Sequence, residues 1–249
     1  MTAESDVAVV TGAARGLGAV IAARLHGHGL RVALADVDVE KAAEVARHLD
    51  PSRATARAFA LDVRERASFH DLLAGVVAVW GGLHVVVNNA AGTQATPVMQ
   101  ISAEEFDSVV GVNLSGTFNA CQILGAHLAE RGYGRIVNIG SLAGQNGGTA
   151  TGAHYAASKG GIHTLTKVFA RELAASGVTV NAVAPGPLDL PVVHRLVPPE
   201  RMESLIATIP VGRLGSPGFV AQVVALLASR DASSVTGACW DVNGGLYLR

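Results

Sequence analysis

Tyr155 and Lys159 lie four positions apart in the stretch Tyr155-Ala-Ala-Ser-Lys159. On an α-helix this spacing places the two side chains on one face, one turn apart. A free phenol has a pKa near ~10, and a neighbouring ammonium favours the phenolate and lowers that pKa. The pair therefore suits a tyrosine that exchanges protons with a substrate near neutral pH. Considered without its surroundings, this spacing could also occur by chance on a helix.

A glycine-rich segment near the N-terminus has the context of an anion-binding turn. Val7-Ala-Val-Val10 is typical of a short buried strand, and the segment Thr11-Gly12-Ala-Ala-Arg15-Gly16-Leu17-Gly18 follows it before a helical pattern begins. Strand, glycine turn and helix indicate a dinucleotide site, in which Gly12 makes the tight turn. Gly16 and Gly18 then let the backbone approach a pyrophosphate at the helix N-terminus. The alternative is an ordinary strand-to-helix turn with spare glycines.

Carboxylates follow the second and third predicted strands. Asp36 lies about 20 residues past the glycines, where a carboxylate accepts from both hydroxyls of an adenosine ribose and repels a 2′-phosphate. Asp38 is better placed to cap the next helix, which leaves Asp36 for the ribose. Asp62 and Val63 follow the third strand. The Asp62 carboxylate either accepts from an adenine amino group or caps the helix predicted over Arg64–Trp80, and both interpretations stay open.

Strand-like and helical segments alternate along all 249 residues, of which 49% are hydrophobic and 16% charged. This alternation, with nearly continuous apolar strands, predicts a single Rossmann-type, doubly wound α/β domain over residues 1–249. Further candidate residues follow its later strands: Asn89 and Ala90 the fourth, Ser141 the fifth, and Pro185-Gly186 the sixth. Ligands of open α/β sheets bind beyond this carboxyl edge.

Three longer segments surround these residues. A helix is predicted from about Ala103 to Glu130 with Asn113 inside it, although asparagine is mildly unfavourable in a helix. A polar loop over Gly144–Gly152 leads into the helix of Tyr155. The segment Leu188–Pro217 contains five of the nine prolines and a short helical pattern, which predicts a small substrate lobe inserted before the last helix.

Composition argues against several classes of partner. The net charge of −1 without a basic block argues against nucleic acid, and no apolar run approaches the ~18 residues of a membrane span. Cys121 and Cys239, and a start at Met1–Asp6 without a basic or apolar leader, lead us to expect a cytoplasmic protein. The histidines show no metal-binding spacing, so we expect no metal. His154, beside Tyr155, is interpreted as a loop residue rather than a catalytic one.

Together, these residues resemble the short-chain dehydrogenases/reductases along essentially the whole chain. The matching segments are Thr11-Gly-x-x-x-Gly16-x-Gly18, Asn88-Asn89-Ala90, Asn113, Ser141, Tyr155-x-x-x-Lys159 and Pro185-Gly186. The resemblance implies a seven-stranded parallel sheet, a nicotinamide cofactor and a homotetramer that pairs through the two long helices and the last strand. It also implies four roles: Tyr155 as acid/base, Ser141 as hydrogen-bond partner of the substrate oxygen, Lys159 as ligand of the nicotinamide ribose that tunes Tyr155, and Asn113 as holder of a proton-relaying water.

Within this family the chain is closest in texture to the 3-oxoacyl-(acyl-carrier-protein) reductases, as in Ile209-Pro-x-Gly-Arg213 and Val242-Asn-Gly-Gly245. That branch mostly uses NADPH with a basic residue near the second strand, whereas Asp36 favours NAD. Arg15 is the one nearby group able to reach a phosphate. Leu190 stands where the family commonly has a threonine that binds the carboxamide.

We therefore expect an NAD-dependent oxidoreductase that acts on a small carbonyl or alcohol substrate. An NADPH-dependent 3-oxoacyl reductase is the alternative, and a catalytically silent nucleotide-binding scaffold on the same fold is a remoter one.

Overall fold

The computed structural model describes residues 5–148 and 151–248. The predictions about the chain start and about the centre of the Gly144–Gly152 loop therefore lie partly outside the described residues. Within them the chain forms seven parallel strands. The strands are β1 (Val7–Thr11), β2 (Arg31–Asp36), β3 (Ala56–Ala60), β4 (Val85–Asn88), β5 (Gly134–Ile139), β6 (Val178–Pro185) and β7 (Cys239–Val242).

The strand order is β3-β2-β1-β4-β5-β6-β7, so the direction of winding reverses between β1 and β4. At such a switch point the connections leave the two neighbouring strands toward opposite faces, and a crevice opens at their carboxyl ends. The predicted fold class, a single doubly wound α/β domain with seven parallel strands, is confirmed.

Helices cover both faces of the sheet. Their bounds are α1 (Gly16–Gly27), α2 (Val39–Leu49), α3 (Arg66–Trp80), α4 (Ala103–Val110), α5 (Gly116–Glu130), α6 (Ala143–Asn146), α7 (Ala153–Leu173), α8 (Pro191–Leu196), α9 (Pro199–Thr208) and α10 (Pro217–Ala228). Within the same residues, none of the helices is both long and apolar enough to cross a membrane.

Alternating side chains along β1 pack into two separate hydrophobic cores, one on each face of the sheet. Along β1, Ala8 and Val10 pack with α1, α2 and α10, whereas Val7 and Val9 pack with α3, α5 and α7. All four side chains are buried. Because both faces are covered, the strand needs apolar residues at every position, which explains its continuous apolar sequence. Burying one such valine contributes about 1.5–3 kcal/mol relative to exposing it.

The structure corrects the predicted helix over 103–130. A π-helical turn at Gly111–Ser115 separates α4 from α5, and Asn113 lies at its centre, fully buried. A π turn inserts one residue into the helical repeat and is often found at functional sites. The sequence-based prediction of one continuous helix was therefore wrong at the position that carries a candidate residue.

Two other segments are more helical than predicted. The Gly144–Gly152 segment begins inside the short helix α6, which ends at Gly147 with a φ of 86°. The lobe near residues 188–217 contains two helices, α8 and α9, where the sequence indicated one short helical piece. Both lobe helices begin with a proline, which is compatible with the first helical turn because that position has no helical acceptor for an N–H group.

Candidate active site

All of the predicted strand-end residues lie along the carboxyl edge of the sheet. The glycine turn follows β1, Asp36 ends β2, Asn89 follows β4, Ser141 follows β5, and Gly186 follows β6. Since the strands are parallel and adjacent, their ends lie side by side across the switch point. One edge therefore combines the candidate nucleotide-binding residues with the candidate proton-transfer residues.

The glycine turn is held closed by residues that follow β4. The Asn89 side chain donates to the carbonyls of Thr11 (3.0 Å) and Gly12 (3.1 Å). The Thr11 hydroxyl accepts from the backbone N–H groups of Asn89 and Ala90, both at 3.0 Å. A Cβ at Gly12 would lie 2.7 Å from the Cα of Ala90, so this approach excludes any side chain there. The Asn89-Ala90 pair thus shapes the turn across the β1–β4 crevice.

Glycine occupies positions 16 and 18 for different structural reasons. Gly16 adopts a φ of 57°, and a Cβ there would meet no atom within 4 Å, so the space above it is open to a ligand. A Cβ at Gly18 would instead clash with the carbonyl oxygen of Gly12, so the protein itself requires this glycine. Gly16, Leu17 and Gly18 form the first turn of α1, where N–H groups have no helical acceptor.

The Asp36 carboxylate is fixed at the edge by two backbone donors. Ala14 N–H donates to Oδ2 at 2.9 Å and Asp38 N–H donates to Oδ1 at 3.0 Å. Each carboxylate oxygen can accept more than one hydrogen bond, so acceptor capacity is left for ribose hydroxyls. Asp38 itself caps α2 by accepting from Lys41 N–H at 3.1 Å. The prediction that Asp38 caps α2 is confirmed.

Asp62 does not cap α3, and that interpretation was wrong. The helix begins at Arg66 with Glu65 as N-cap residue. The Asp62 carboxylate instead accepts from Arg64, whose guanidinium lies 2.6 Å away and whose backbone N–H lies 3.0 Å away. The hydrogen bond from the Arg64 side chain is the largest influence that lowers the pKa of Asp62. Val63 beside it is buried and lies close to Gly116 of α5, where a Cβ would meet its side chain at 2.8 Å.

These residues fit a dinucleotide. The open space at Gly16, the unpaired N–H groups of the first turn of α1 and the fixed Asp36 carboxylate provide an anion site and a hydroxyl-binding site on neighbouring strands. Arg15, an exposed residue, is the N-cap residue of α1. Gly12 and Gly18 of this turn are not spare, because a Cβ at either position would collide with neighbouring atoms.

Tyr155, Ser141 and Lys159 come together beside this site. The Lys159 Nζ lies 5.6 Å from the centroid of the Tyr155 ring and donates to the carbonyl of Ile139 at 2.6 Å, at the end of β5. Burial raises the pKa of Tyr155, and a hydrogen bond with the Ser141 side chain acts in the opposite direction. Burial also lowers the pKa of Lys159 to about 8. In the protein chain alone, Ser141 rather than Lys159 is therefore the neighbour that favours the phenolate.

Asn113 connects the loop after β4 to the helix of Tyr155. Its Oδ1 accepts from Gly92 N–H at 2.8 Å, and its Nδ2 donates to the carbonyl of Gly92 and to the Ser158 hydroxyl, both at 3.0 Å. The Ser158 hydroxyl in turn donates to the carbonyl of Tyr155 at 2.7 Å. Asn113 thus lies in the same cluster as Tyr155 and Lys159. Both Nδ2 hydrogens bond protein atoms, and the Oδ1 can accept one more hydrogen bond.

His154 is not a loop residue, and that interpretation was wrong. It is the second residue of α7, and its side chain is 0% exposed. Its Nδ1 accepts from the backbone N–H of Tyr155 at 2.9 Å, and its Nε2 lies 2.8 Å from a carboxylate oxygen of Glu105. The histidine therefore joins α4 to the start of the helix that carries Tyr155.

Pro185 and Gly186 lie where β6 leaves the sheet. The Pro185 carbonyl accepts from Leu142 N–H at 2.9 Å, and Gly186 N–H donates to Val242 at 3.0 Å. A Cβ at Gly186 would lie 2.9 Å from the Cα of Asn243, so β7 packs against this bend. Leu190, four residues beyond Gly186, packs against the first core instead of presenting a hydroxyl.

Comparison with known proteins agrees with this geometry. A family model described as "Enoyl-(Acyl carrier protein) reductase" matches residues 12–247. The chain belongs to the short-chain dehydrogenase/reductase family. It is similar to the 3-oxoacyl-(acyl-carrier-protein) reductase of Thermotoga maritima, with 34% identity over 100% of both chains. It is also similar to the 4-formylbenzenesulfonate dehydrogenase of Comamonas testosteroni and the acetoacetyl-CoA reductase of Rhizobium meliloti, each 39% identical over 98% of this chain and 99% of the relative.

Membership of the short-chain dehydrogenase/reductase family defines the reaction class. The chain is an oxidoreductase that acts on CH–OH or keto groups with a nicotinamide cofactor. The expected family and enzyme class are confirmed. The resemblance to the 3-oxoacyl reductases is also borne out by the relatives.

A cavity of about 680 Å³ lies between the loop after β4, the start of α7 and α9, and Ser141, Tyr155 and Lys159 are not among the residues that line it. One wall is the loop Ala95–Val98, another is Thr151 to Ala153, and α9 closes it with Arg201, Ser204, Leu205 and Thr208. The cavity reaches Ala153, two residues before Tyr155. Arg201 is the one charged residue among those that line it.

Sequence reasoning did not identify Ser158 and Glu105 as members of the site. Ser158 lies inside the Tyr155–Lys159 turn, and its spacing of three residues from Tyr155 was an available signal. Glu105 lies in the first turn of α4, and nothing near it in sequence indicates its contact with His154, 49 residues away.

Proposed function

We propose that this chain is an NAD(H)-dependent oxidoreductase that transfers a hydride between nicotinamide and a secondary alcohol or ketone, with Ser141, Tyr155, Lys159 and Asn113 as its catalytic residues. The observation that carries the proposal is the convergence of Ser141 and Lys159 on the Tyr155 phenol, next to the β1–β4 switch point. A phenol flanked by a hydroxyl and an ammonium suits proton exchange with a reacting oxygen.

The proposed cofactor contacts follow the carboxyl edge. The glycine turn binds the pyrophosphate, Asp36 the adenosine ribose, and Asp62 and Val63 the adenine. The full proposed set is Gly12, Arg15, Gly16, Leu17, Gly18, Asp36, Asp62, Val63, Asn89, Ala90, Tyr155, Lys159, Pro185 and Gly186. The bound nicotinamide supplies or accepts the hydride.

The chain's own residues handle the proton. In the oxidation direction the Tyr155 phenolate takes the hydroxyl proton of the alcohol while Ser141 hydrogen-bonds the same oxygen. In the reduction direction the Tyr155 phenol returns that proton. Lys159 holds its charge near the phenol, since its Nζ is anchored to the end of β5. Asn113 keeps the loop after β4 and α7 in register, and we propose that it also holds a water that relays protons to Lys159.

The pH dependence of the reaction follows from Tyr155. Oxidation requires the deprotonated phenol and burial raises its pKa, so we expect kcat/KM for oxidation to rise from neutral to alkaline pH and kcat/KM for reduction to fall. Ser141→Ala removes the hydrogen bond that lowers this pKa and should move both profiles to higher pH. Ser141→Thr keeps a hydroxyl and serves as the control. An unmoved profile in Ser141→Ala would show that Ser141 does not tune the phenol.

The substrate class follows from the cavity. Arg201 makes no ion pair among the described residues and is the one charge on the cavity wall, so we propose a substrate with an anionic group away from its reacting carbon. Arg201→Gln should raise KM about tenfold for a hydroxy acid and leave KM for its methyl ester nearly unchanged, because a hydrogen bond to a charged group contributes about 1.5–3 kcal/mol at best. Equal KM changes for the acid and the ester would contradict this assignment.

A homotetramer is the proposed assembly. Phe118 and Val168, on α5 and α7, are 38% and 44% exposed, and Phe106 on α4 is also exposed, which leaves an apolar face on helices predicted to pair. Val109 of α4 is buried within the chain and does not contribute to this face. Light scattering should give four copies of the 25.4 kDa chain.

The matched variants for the assembly are Phe118→Glu and Met99→Glu. Met99 is 92% exposed and lies outside the paired helices. Phe118→Glu should dissociate the tetramer and Met99→Glu should not. A monomer at micromolar concentration in the unmodified protein would refute the proposal.

The function itself is tested by a substrate panel. Secondary alcohols, 3-hydroxyacyl thioesters and polyols should be assayed with NAD and with NADP. The names of the relatives favour one alternative, an NADPH-dependent 3-oxoacyl-(acyl-carrier-protein) reductase, and faster turnover of the thioesters with NADPH would support it. NADH binding without turnover of any substrate would support the silent scaffold. A cytoplasmic location is also proposed, since a chain of 249 residues with two cysteines fits a reducing compartment.

A further inference from the structure

The helix that carries Tyr155 begins without an ordinary cap. Its N-cap residue is Gly152, which has no side chain to accept from the first N–H groups, and Tyr155 is the third helical residue. A serine or aspartate at the N-cap would normally accept from the N–H at this position. Here the His154 ring does so, because its Nδ1 accepts from Tyr155 N–H at 2.9 Å.

The glycine is required for this arrangement. A Cβ at Gly152 would lie 2.6 Å from the His154 Nδ1 and 3.0 Å from the carbonyl of Gln94. Any side chain at position 152 would therefore displace the ring that bonds Tyr155. The chain has a histidine one residue before Tyr155 in place of the usual capping side chain.

The hydrogen bonds determine which ring nitrogen of His154 carries the proton. Nδ1 accepts from a backbone N–H, so it carries no proton, and Nε2–H donates to the Glu105 carboxylate at 2.8 Å. Both ring nitrogens are used, and the ring is fully buried. The orientation of His154 is thus set from one side by Glu105 and transmitted on the other side to the backbone of Tyr155.

Glu105 extends the connection to the cavity. Hydrogen bonds from Thr96 and then from His154 lower the pKa of Glu105, so the carboxylate is ionised at neutral pH. Thr96 belongs to the loop that lines the cavity. The Gly152 N–H also donates to the Gln94 carbonyl of this loop at 2.8 Å. The cavity wall, α4 and the start of α7 are therefore joined through Glu105 and His154.

We propose that Glu105 and His154 are positioning residues that hold the Tyr155 backbone, and through it the phenol, in register with Ser141 and Lys159. This inference rests on the proposed function of Tyr155. A loss of register of about 1 Å at a reacting group can cost on the order of 100-fold in rate. The pair touches none of the proposed cofactor contacts other than Tyr155, so its loss should lower kcat and leave dinucleotide affinity unchanged.

Two substitutions separate positioning from simple packing. His154→Phe keeps the volume of the ring and removes the acceptor for Tyr155 N–H. His154→Asn keeps an acceptor close to the position of Nδ1 but cannot reach Glu105. We expect His154→Phe to lower kcat on the order of 10-fold or more, with NADH affinity unchanged in a fluorescence titration. His154→Asn should recover most of this loss. Glu105→Gln, which keeps an acceptor for Nε2–H, should fall between the wild type and His154→Phe.

Hydrogen–deuterium exchange of the α7 N-terminus provides a measurement independent of turnover. The Tyr155 amide should exchange faster in His154→Phe than in the wild type and should regain protection in His154→Asn. Equal kcat losses in His154→Phe and His154→Asn, or unchanged exchange in His154→Phe, would overturn the proposal. Absence of turnover in the wild type would instead overturn the proposed function. If His154→Phe does not fold, Glu105→Gln gives the decision: unchanged kcat together with unchanged exchange of the Tyr155 amide in Glu105→Gln would overturn the proposal.

Discussion

Tyr155→Phe is expected to lower kcat by at least about 100-fold while NADH still binds with wild-type affinity. The substitution removes the atom that exchanges the proton and keeps the ring that fills the buried position beside Ser141 and Lys159. General acid–base catalysis typically contributes about 10²–10⁴-fold, so the loss should be large. The glycine turn and Asp36 lie on other strands and should keep their contacts with the dinucleotide. The measurements are steady-state turnover and a fluorescence titration with NADH.

Tyr133→Phe is the matched control for this experiment. Tyr133 lies just before β5, at the opposite edge of the sheet, where its hydroxyl meets Asp6 and its ring contacts Arg135 and Arg230. Removing the same hydroxyl there should leave kcat nearly unchanged. If Tyr155→Phe retains even a tenth of the wild-type kcat, the phenol is not the acid/base and another group must take the proton.

The second large effect is expected for the choice between NAD and NADP. Asp36 should give on the order of 100-fold higher kcat/KM with NAD, because each ~1.4 kcal/mol corresponds to a factor of ten. Charge-assisted hydrogen bonds to the ribose contribute about 1.5–3 kcal/mol each at best, and a 2′-phosphate loses them and meets a like charge. The carboxylate cannot easily turn away, since the N–H groups of Ala14 and Asp38 hold both of its oxygens.

Asp36→Ala should narrow this preference by weakening NAD more than NADP. Asp38→Ala is the matched control, because it removes an equal charge two residues away while Asp38 serves only the cap of α2. It should cost about 1 kcal/mol of stability and leave the NAD/NADP ratio nearly unchanged. Equal or higher wild-type kcat/KM with NADP would mean that Arg15, at the start of α1, dominates the pocket.

The sequence predicted those parts of the molecule that depend on local patterns. Apolar runs located the seven strands, and the rule that ligands bind at the carboxyl edge placed Asp36, Asn89 and Ser141 together. The cap of α2 by Asp38 was also predictable, because a capping side chain and the N–H group that donates to it are three residues apart. The proximity of Tyr155 and Lys159 could be predicted from the helical repeat alone.

The errors concern side chains whose partners are distant in sequence. Asn113 bonds Gly92, 21 residues away, and Ser158, 45 residues away, and the π turn that accommodates these bonds leaves no pattern in the helix itself. His154 is polar and follows a polar segment, which suggested a loop, but Glu105 and Tyr155 satisfy both of its nitrogens inside the protein. Such pairings depend on packing that periodicity does not encode.

The contact between Asn113 and Gly92 has a consequence for the shape of the sheet. One side-chain amide bonds both the N–H and the carbonyl of a single residue, as the paired residue of an antiparallel strand does. The side chain therefore adds one pair of sheet-like hydrogen bonds at Gly92, after β4 has ended at Asn88. The asparagine side chain replaces a backbone peptide group here, because its amide offers a donor and an acceptor side by side. Asn113 thus holds the chain beyond the end of β4 as far as Gly92. The cavity wall starts three residues later, at Ala95.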